Sequence, residues 1–279
     1  MKLRSLLFVP GDRPDRMDKA TLCGADALIL DLEDAVSAPH KRAARGHCAE
    51  FLRGATRPRR VFVRINPLAS GLARDDLASI AAARPDGIVL PKAQGAAAIR
   101  ELQGLLPDAV RILPIATETP SAVFQLPEYA SVAERLLGLT WGVEDLSAAM
   151  GASATRSKDG ALTPPFEMLR ALVLFAAHSA GIAAIDTVYT AFRDTAGLAA
   201  YAGRAARDGF TGMLAIHPDQ VPVINAAFTP APAAIARAER IVAAFRANPG
   251  AGVVSLDGIM LDAPHLKQAE RVIALAAGD

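Results

Sequence analysis

The feature that most constrains the fold of this chain is a short apolar run, rich in branched side chains, that recurs eight times. The runs span residues 6–9, 27–30, 61–65, 87–90, 112–116, 136–139, 184–188 and 212–216. Each run is followed by a segment of helical composition, which is the pattern of repeated βα units. Eight such units predict an α/β protein with a closed (β/α)8 TIM barrel.

Two prolines argue against part of this pattern. Pro91 borders the fourth run and Pro114 lies inside the fifth, where a missing N–H donor disfavours a central strand. The alternative fold is a doubly wound open sheet, which would place a nucleotide-binding G-x-G-x-x-G motif after the first strand. The sequence has no such motif there, so the barrel is preferred.

The pattern changes near residue 228, which divides the chain into a catalytic barrel (1–228) and a C-terminal extension (229–279). Thr229 is expected to cap a helix that runs to about residue 245. Asp257-Gly258 lies between two apolar runs and indicates a hairpin, which a last helix follows. We expect this extension of helix, hairpin and helix to contribute to its own active site or to that of a neighbouring subunit.

Composition limits the partners of this chain. Its 279 residues are 52% hydrophobic, and 30 basic residues balance 29 acidic ones, which argues against nucleic acid and a polybasic membrane contact. The first apolar run ends at Pro10, too early for a secretory signal, so we expect none, and no apolar stretch reaches the roughly 18 residues of a membrane span. Cys23 and Cys48 are the only cysteines, so we expect reduced thiols, a cytoplasmic location, and partners that are small molecules or copies of the same chain.

Charged and polar side chains follow most of the apolar runs. In barrel enzymes the carboxyl ends of the strands converge on one rim, where functional groups collect. We therefore expect one site built from these residues: Asp31, Glu33, Asp34, Arg64, Asn66, Lys92, Glu118, Glu144, Asp145, Asp186 and His217.

Glu118 and Asp145 are the candidate metal ligands. They end the fifth and sixth runs, which are neighbours in a barrel of consecutive units. Two carboxylates, with the other positions left to water and substrate oxygens, suit Mg²⁺. The alternative is that Glu118 caps a helix start and Asp145 lies in a solvated turn.

Arg64 is the candidate substrate-binding cation. At a strand end among carboxylates, it could hold a substrate carboxylate bidentately and stabilise a developing enolate oxygen. The alternative is a structural ion pair with Asp31 or Glu33. At least one of these two acids is expected to support the site from behind.

Beyond these single residues, the chain resembles the citrate lyase β-subunit-like proteins, within the wider superfamily of HpcH/HpaI aldolases and malyl-CoA lyases. The likeness spans the whole chain. It rests on LFVPG at 7–11, ADALILDLEDAV at 25–36, VRIN at 63–66, LPK at 90–92, ETP at 118–120, GVEDL at 142–146 and DGIMLD at 257–262. It implies a (β/α)8 barrel that assembles as a homotrimer or hexamer.

The resemblance also implies roles for individual residues. Glu118 and Asp145 would bind Mg²⁺, and Arg64 would contact the acid group of the substrate, with Asp31, Glu33 and Glu118 also at the substrate. Asp262 would be an acid/base group lent to a neighbouring subunit. Without the resemblance, Asp262 is interpreted as the N-cap of the last helix.

The implied reaction is the Mg²⁺-dependent cleavage or formation of a β-hydroxyacyl-CoA thioester, such as malyl-CoA or citramalyl-CoA. Cleavage gives acetyl-CoA and a small oxo-acid, with Asp262 protonating the thioester enolate. Arg13, Lys19 and Arg156 are candidate contacts for the CoA phosphates. Two alternatives stay open: a citrate lyase β subunit that receives its substrate on an acyl carrier protein, and a non-catalytic thioester-binding scaffold.

Overall fold

The computed structural model describes residues 2–54, 60–158 and 160–277. The strands are β1 Ser5–Pro10, β2 Ala27–Asp31, β3 Val61–Arg64, β4 Gly87–Leu90, β5 Arg111–Pro114, β6 Gly138–Leu139, β7 Ala183–Asp186, β8 Gly212–Ala215, β9 Val253–Leu256 and β10 Ile259–Asp262. The helices are α1 Pro14–Ala20, α2 Lys41–Arg53, α3 Ala73–Ile80, α4 Gly95–Gln103, α5 Pro120–Val123, α6 Glu144–Met150, α7 Pro164–Ser179, α8 Thr195–Asp208, α9 Gln220–Ala227, α10 Pro232–Ala247 and α11 Ala263–Ala277. Among these described helices, none has both the length and the apolar character that crossing a bilayer requires.

The first eight strands form one parallel sheet in the order β5-β4-β3-β2-β1-β8-β7-β6. The two outer strands of this order, β5 and β6, also meet. The Leu137 amide donates to the Ile112 carbonyl at 2.8 Å, and the Ala116 amide donates to the Thr140 carbonyl at 2.9 Å. The sheet therefore closes on itself, and the predicted (β/α)8 barrel is confirmed.

The two prolines lie where their strands can do without the N–H donor. Pro91 comes directly after β4, and Pro114 is the last residue of β5. The Pro114 carbonyl accepts from the Thr140 amide at 3.2 Å, so its ring nitrogen also faces β6. Because β6 has only two residues, the missing donor falls where the ladder is already weakest.

Alternate strand residues fill the interior of the barrel. Burying each large apolar side chain stabilises the fold by about 1.5–3 kcal/mol. The same strand face continues to Asp31 and Arg64 at the carboxyl ends, so the packed interior places these polar groups at the rim. The main members of the buried cluster are Leu6, Ile29, Phe62, Val89, Leu113, Ile185 and Leu214.

Among the described residues, 226–277 and Lys2 form a second compact unit, and residues between 3 and 225 form the first. Within the second unit, α10 and α11 pack with the β9–β10 hairpin around Ile241, Val254 and Leu261. The hairpin turn is Asp257-Gly258, and both residues have positive φ, 53° and 76°. This is the backbone that a two-residue type I′ turn requires.

The expected N-cap of the first C-terminal helix is wrong by two residues. The helix begins at Pro232, and Ala231 takes the N-cap position instead of Thr229. Both Thr229 and Ala231 precede a proline, which disfavours helical backbone. Ala231 accordingly is extended, with φ −65° and ψ 148°, and Pro232 starts the helix, where its missing N–H costs nothing.

The packing of β8 against the residues that directly precede β1 can be tested at Gly212. An added Cβ would overlap the carbonyl oxygen of Leu3 and lie 2.9 Å from that of Arg4. We expect Gly212→Ala to lower the free energy of unfolding, measured in urea, by more than about 3 kcal/mol. Gly203 lies in α8 with open space around it. The control Gly203→Ala should therefore raise the free energy of unfolding by about 1 kcal/mol. Equal effects of the two changes would contradict the close packing at Gly212.

Candidate active site

A cavity of about 440 Å³ lies at the carboxyl ends of the barrel strands. Asp31, Arg64, Glu118 and Asp145, which come from four different βα units, all line it. The remaining wall is mainly apolar and includes Phe8, Ile115, Trp141, Val143, Val188, Leu214 and Ile216. With Asp34 and Glu144, which also line the cavity, the structure brings six of the predicted site residues into one concave surface.

Arg64 is held by acids on two sides. Its Nε and Nη2 atoms donate to Asp31 Oδ1 at 2.7 Å and to Oδ2 at 2.6 Å, and Nη1 lies 2.8 Å from Glu33 Oε2. Burial by itself would lower the pKa of Arg64, but the hydrogen bond and charge of Asp31 raise the pKa above its ordinary value. The ion pair considered as the alternative role of Arg64 is therefore present.

Asp31 supports Arg64 from behind. Besides the guanidinium, its carboxylate accepts the backbone amides of Glu33 at 2.8 Å and Ala35 at 3.1 Å. Because these contacts use both carboxylate oxygens, Asp31 fixes the loop after β2 together with Arg64. The arrangement leaves Arg64 rigid at the rim of the cavity, with 11% of its side chain exposed.

Lys92 contacts acidic residues that follow three different strands, a role that could not be assigned from the sequence. Its backbone amide donates to Glu118 Oε2 at 2.5 Å. Its ammonium lies 2.9 Å from Glu33 Oε1 and 3.2 Å from Asp145 Oδ1. The backbone of Lys92 is left-handed, with φ 50°, which is uncommon for a residue other than glycine and typical of functional sites.

Glu118 is a buried carboxylate with 4% of its surface exposed. Burial, together with the charges of Glu33 and Asp145, raises its pKa to about 8, although the Lys92 amide acts in the opposite direction. The chain after β6 packs directly on the Glu118 side chain. The approach is so close that a Cβ atom added to Gly142 would lie only 2.7 Å from Glu118 Cγ. Because the pKa of Glu118 is raised, a cation bound next to this carboxylate would favour its charged form.

The charges around the cavity fit a divalent metal ion. Among the described residues of this cluster, the carboxylates of Asp31, Glu33, Asp34, Glu118 and Asp145 outnumber the two cations that they face, Arg64 and Lys92. The excess negative charge favours a bound divalent cation. Within the described ranges, no group of three or more His, Cys, Asp or Glu side chains forms a metal cage. Mg²⁺ suits such a site, because it usually keeps several waters and takes one or two protein carboxylates.

The structure separates the three candidate CoA contacts. Arg13 and Lys19 line a second cavity, of about 490 Å³, which shares Phe8, Pro10, Arg16 and Ile216 with the first. Arg16 is a cation at both cavities that sequence reasoning missed. Arg156 lies elsewhere in the barrel unit, with its guanidinium 4.6 Å from the centre of the Tyr201 ring.

Asp262 ends β10 in the second compact unit and directly precedes α11. Its Oδ1 atom lies 2.5 Å from His265 Nδ1, and its side chain is 44% exposed. The position before the last helix is the one interpreted from the sequence as an N-cap. The half-exposed carboxylate, with an imidazole beside it, is also chemically able to exchange a proton.

Comparison with known proteins decides the family. Residues 4–218 match the family of HpcH/HpaI aldolase/citrate lyase. The chain belongs to this family. A "Citrate lyase subunit beta-like protein" of Mycobacterium tuberculosis is 37% identical over 270 residues, which cover 97% of this chain and 94% of the relative. The mitochondrial citramalyl-CoA lyase of Mus musculus is 35% identical over 301 residues, which cover 98% and 86%.

A solved structure agrees with this HpcH/HpaI aldolase/citrate lyase membership. The crystal structure of CitE from Mycobacterium tuberculosis, in complex with magnesium, acetoacetate and coenzyme A, superposes with a TM-score of 0.84. It is 36% identical in sequence, and the match covers 98% of both chains. The resemblance, the fold and the carbon–carbon lyase class expected from the sequence are confirmed.

We expect ionisation of the buried Glu118 carboxyl group to lower the free energy of unfolding by a measurable amount. Because its folded-state pKa is above the ordinary value, ionisation destabilises the fold as pH rises from about 4.5 to about 8. In chelator, we expect Glu118→Gln to raise the free energy of unfolding by about 2–4 kcal/mol at pH 9 and by little at pH 5. A variant that is less stable than the wild type at pH 9 would contradict the buried charge.

Proposed function

We propose that this protein is a Mg²⁺-dependent carbon–carbon lyase that cleaves or forms a β-hydroxyacyl-CoA thioester such as malyl-CoA or citramalyl-CoA. The products of cleavage are acetyl-CoA and a small oxo-acid. The observation that carries the proposal is the convergence of Glu118, Asp145 and Arg64 on one cavity. The relative named for CoA-ester cleavage and the solved relative with magnesium, acetoacetate and coenzyme A support it.

Glu118 and Asp145 would hold the Mg²⁺ ion with carboxylate oxygens. The bound ion would lower the pKa of the substrate hydroxyl group and stabilise negative charge on the 2-hydroxy-acid end. Lys92 contacts both carboxylates through its amide and its ammonium and so keeps them on the same side of the cavity.

Arg64 is proposed to bind the substrate carboxylate with the N–H groups that Asp31 and Glu33 leave available. Because these acids already fix the guanidinium, little side-chain freedom is lost when substrate binds. Its positive charge also stabilises negative charge that develops on the oxo-acid. Asp31 and Glu33 would thus act on the substrate through Arg64.

The cations of the second cavity are proposed to bind the CoA phosphates. Arg13 and Lys19 line it, and Arg16 stands where the two cavities meet. Arg156 is a further candidate, because it lies on the segment that follows α6. An extended thioester would then place its acid end at Arg64 and its phosphates over α1.

Asp262 is proposed as the acid/base group. The substrate hydroxyl gives up its proton to solvent, and the resulting alkoxide forms the C=O bond of the oxo-acid as the carbon–carbon bond breaks. The electron pair of that bond moves onto the acetyl carbon to form a thioester enolate, and Asp262 gives that carbon a proton. In the condensation direction, Asp262 removes the same proton. The half-exposed carboxylate beside His265 supports this role.

A homo-oligomer, a trimer or hexamer, is part of the proposal, with Asp262 serving the site of a neighbouring subunit. One helix of the barrel unit supports self-association. On α7 the exposed side chains Met168, Leu172 and Phe175 are spaced as one helical face.

We place the enzyme in the cytoplasm, because Cys23 and Cys48 are free thiols.

The metal site predicts the activity of two variants. With malyl-CoA or citramalyl-CoA and Mg²⁺, we expect the wild type to release acetyl-CoA, and chelator to abolish the reaction. Glu118→Gln and Asp145→Asn should lose at least about 100-fold in kcat/KM and in Mg²⁺ affinity, because each removes a charged ligand. The exposed Asp108 precedes β5, and Asp108→Asn is the control that should change neither.

Unchanged Mg²⁺ affinity in both variants would refute the metal site. Cleavage of a citryl-carrier protein, but of neither CoA ester, would favour a citrate lyase β subunit. A wild type that binds thioesters and cleaves none of them would favour a scaffold.

A substitution at Asp262 tests the proton transfer separately from metal binding. We expect Asp262→Asn to keep the Mg²⁺ affinity of the wild type and to lose turnover, because only the proton transfer is removed. If the group serves a neighbouring subunit, mixing Asp262→Asn with Asp145→Asn should restore activity as the subunits exchange. Asp257→Asn, at the turn of the same hairpin, is the control. Normal turnover of Asp262→Asn would show that Asp262 is only a helix cap.

A further inference from the structure

Trp141 is the single tryptophan of the chain. It is fully buried, and it also forms part of the wall of the active-site cavity. Its indole Nε1 donates to Asp186 Oδ1 at 2.8 Å. Asp186 is the last residue of β7 and has no exposed surface. A buried carboxylate therefore lies behind the cavity wall and binds the one tryptophan in it.

The Asp186 carboxylate is fixed from several sides. Oδ1 also accepts the Thr187 amide at 2.8 Å and the Tyr201 hydroxyl at 3.2 Å. Oδ2 accepts Arg170 Nε at 3.0 Å, and Arg170 itself is buried and bonds Asp208 at 2.9 Å. Because its charge is paired with Arg170 and both of its oxygens accept hydrogen bonds, Asp186 is a rigid anchor.

The segment that Trp141 begins needs such an anchor. β6 ends at Leu139, and its backbone pairing to β5 ends with Thr140. Residues 141–145 then carry both Gly142, which packs on Glu118, and Asp145. The indole hydrogen bond attaches this segment to β7 just beyond the point where the strand ladder stops.

We propose that Asp186 is a positioning residue for the metal site and that it acts through Trp141. By holding the indole, it fixes the 141–145 segment and with it the placement of Asp145 against Glu118. The inference rests on the proposed function, in which these two carboxylates bind Mg²⁺. A merely structural Asp186 would contribute to stability alone.

Two variants that each remove one donor from the same carboxylate oxygen test the proposal. Trp141→Phe deletes the indole N–H at the start of the segment, and Tyr201→Phe deletes a hydroxyl on α8, outside it. Both should lower Tm by about 2–4 °C through the lost hydrogen bond. Only Trp141→Phe should weaken Mg²⁺ binding in calorimetry, by about 10- to 100-fold, and lower kcat with it.

Asp186→Asn provides a second measurement that keeps the indole and the side-chain volume. Because the chain has one tryptophan, its emission reports on Trp141 alone. In a Mg²⁺ titration, the emission of the wild type and of Tyr201→Phe should change with the same midpoint. The midpoint for Asp186→Asn should move to about 10- to 100-fold more Mg²⁺, and this result decides the question if Trp141→Phe does not fold.

Wild-type Mg²⁺ affinity in Trp141→Phe and Asp186→Asn, with only Tm lowered, would overturn the inference while leaving the proposed function intact. The same loss of affinity in Tyr201→Phe would also overturn it, because the effect would then not pass through Trp141. A wild type that binds no Mg²⁺ would instead overturn the proposed function, and the inference with it.

Discussion

The site depends on the close placement of carboxylates at the rim of the barrel, where each needs a compensating partner. An unpaired buried charge costs several kcal/mol. Asp31 meets this requirement with Arg64, Glu33 with Lys92 and Arg64, and Glu118 with the Lys92 amide. These pairings join the ends of β2, β3, β4 and β5, so the charges that would serve catalysis also hold the rim together.

Much of the fold follows from the order of residue types. Eight apolar runs predict eight strands, and polar residues at their ends predict the rim, because both follow from the geometry of parallel βα units. The length of β6 could not be predicted: residues 136–139 are all compatible with a strand, yet only Gly138–Leu139 forms one. Nor could the sequence show that strands would form beside Pro91 and Pro114, because the cost of a proline depends on which neighbouring strand its missing N–H donor would face.

The site was predictable as a set of residues but not as a set of partners. Strand ends identify Glu118, Asp145, Arg64 and Asp31, but no pattern shows that Arg64 bonds Asp31 bidentately. The left-handed backbone of Lys92 and the bond from Trp141 to Asp186 depend on how distant segments pack. The fold alone does not determine the function, because a barrel supports many chemistries; these contacts and the family together indicate it.

The most direct test of the proposed metal site is a crystal structure of the wild type with Mg²⁺ and a small oxo-acid. We expect one ion with oxygens of both Glu118 and Asp145 at about 2.1 Å, and the acid's carboxylate on Arg64. An ion bound elsewhere, or one that touches neither carboxylate, would contradict it.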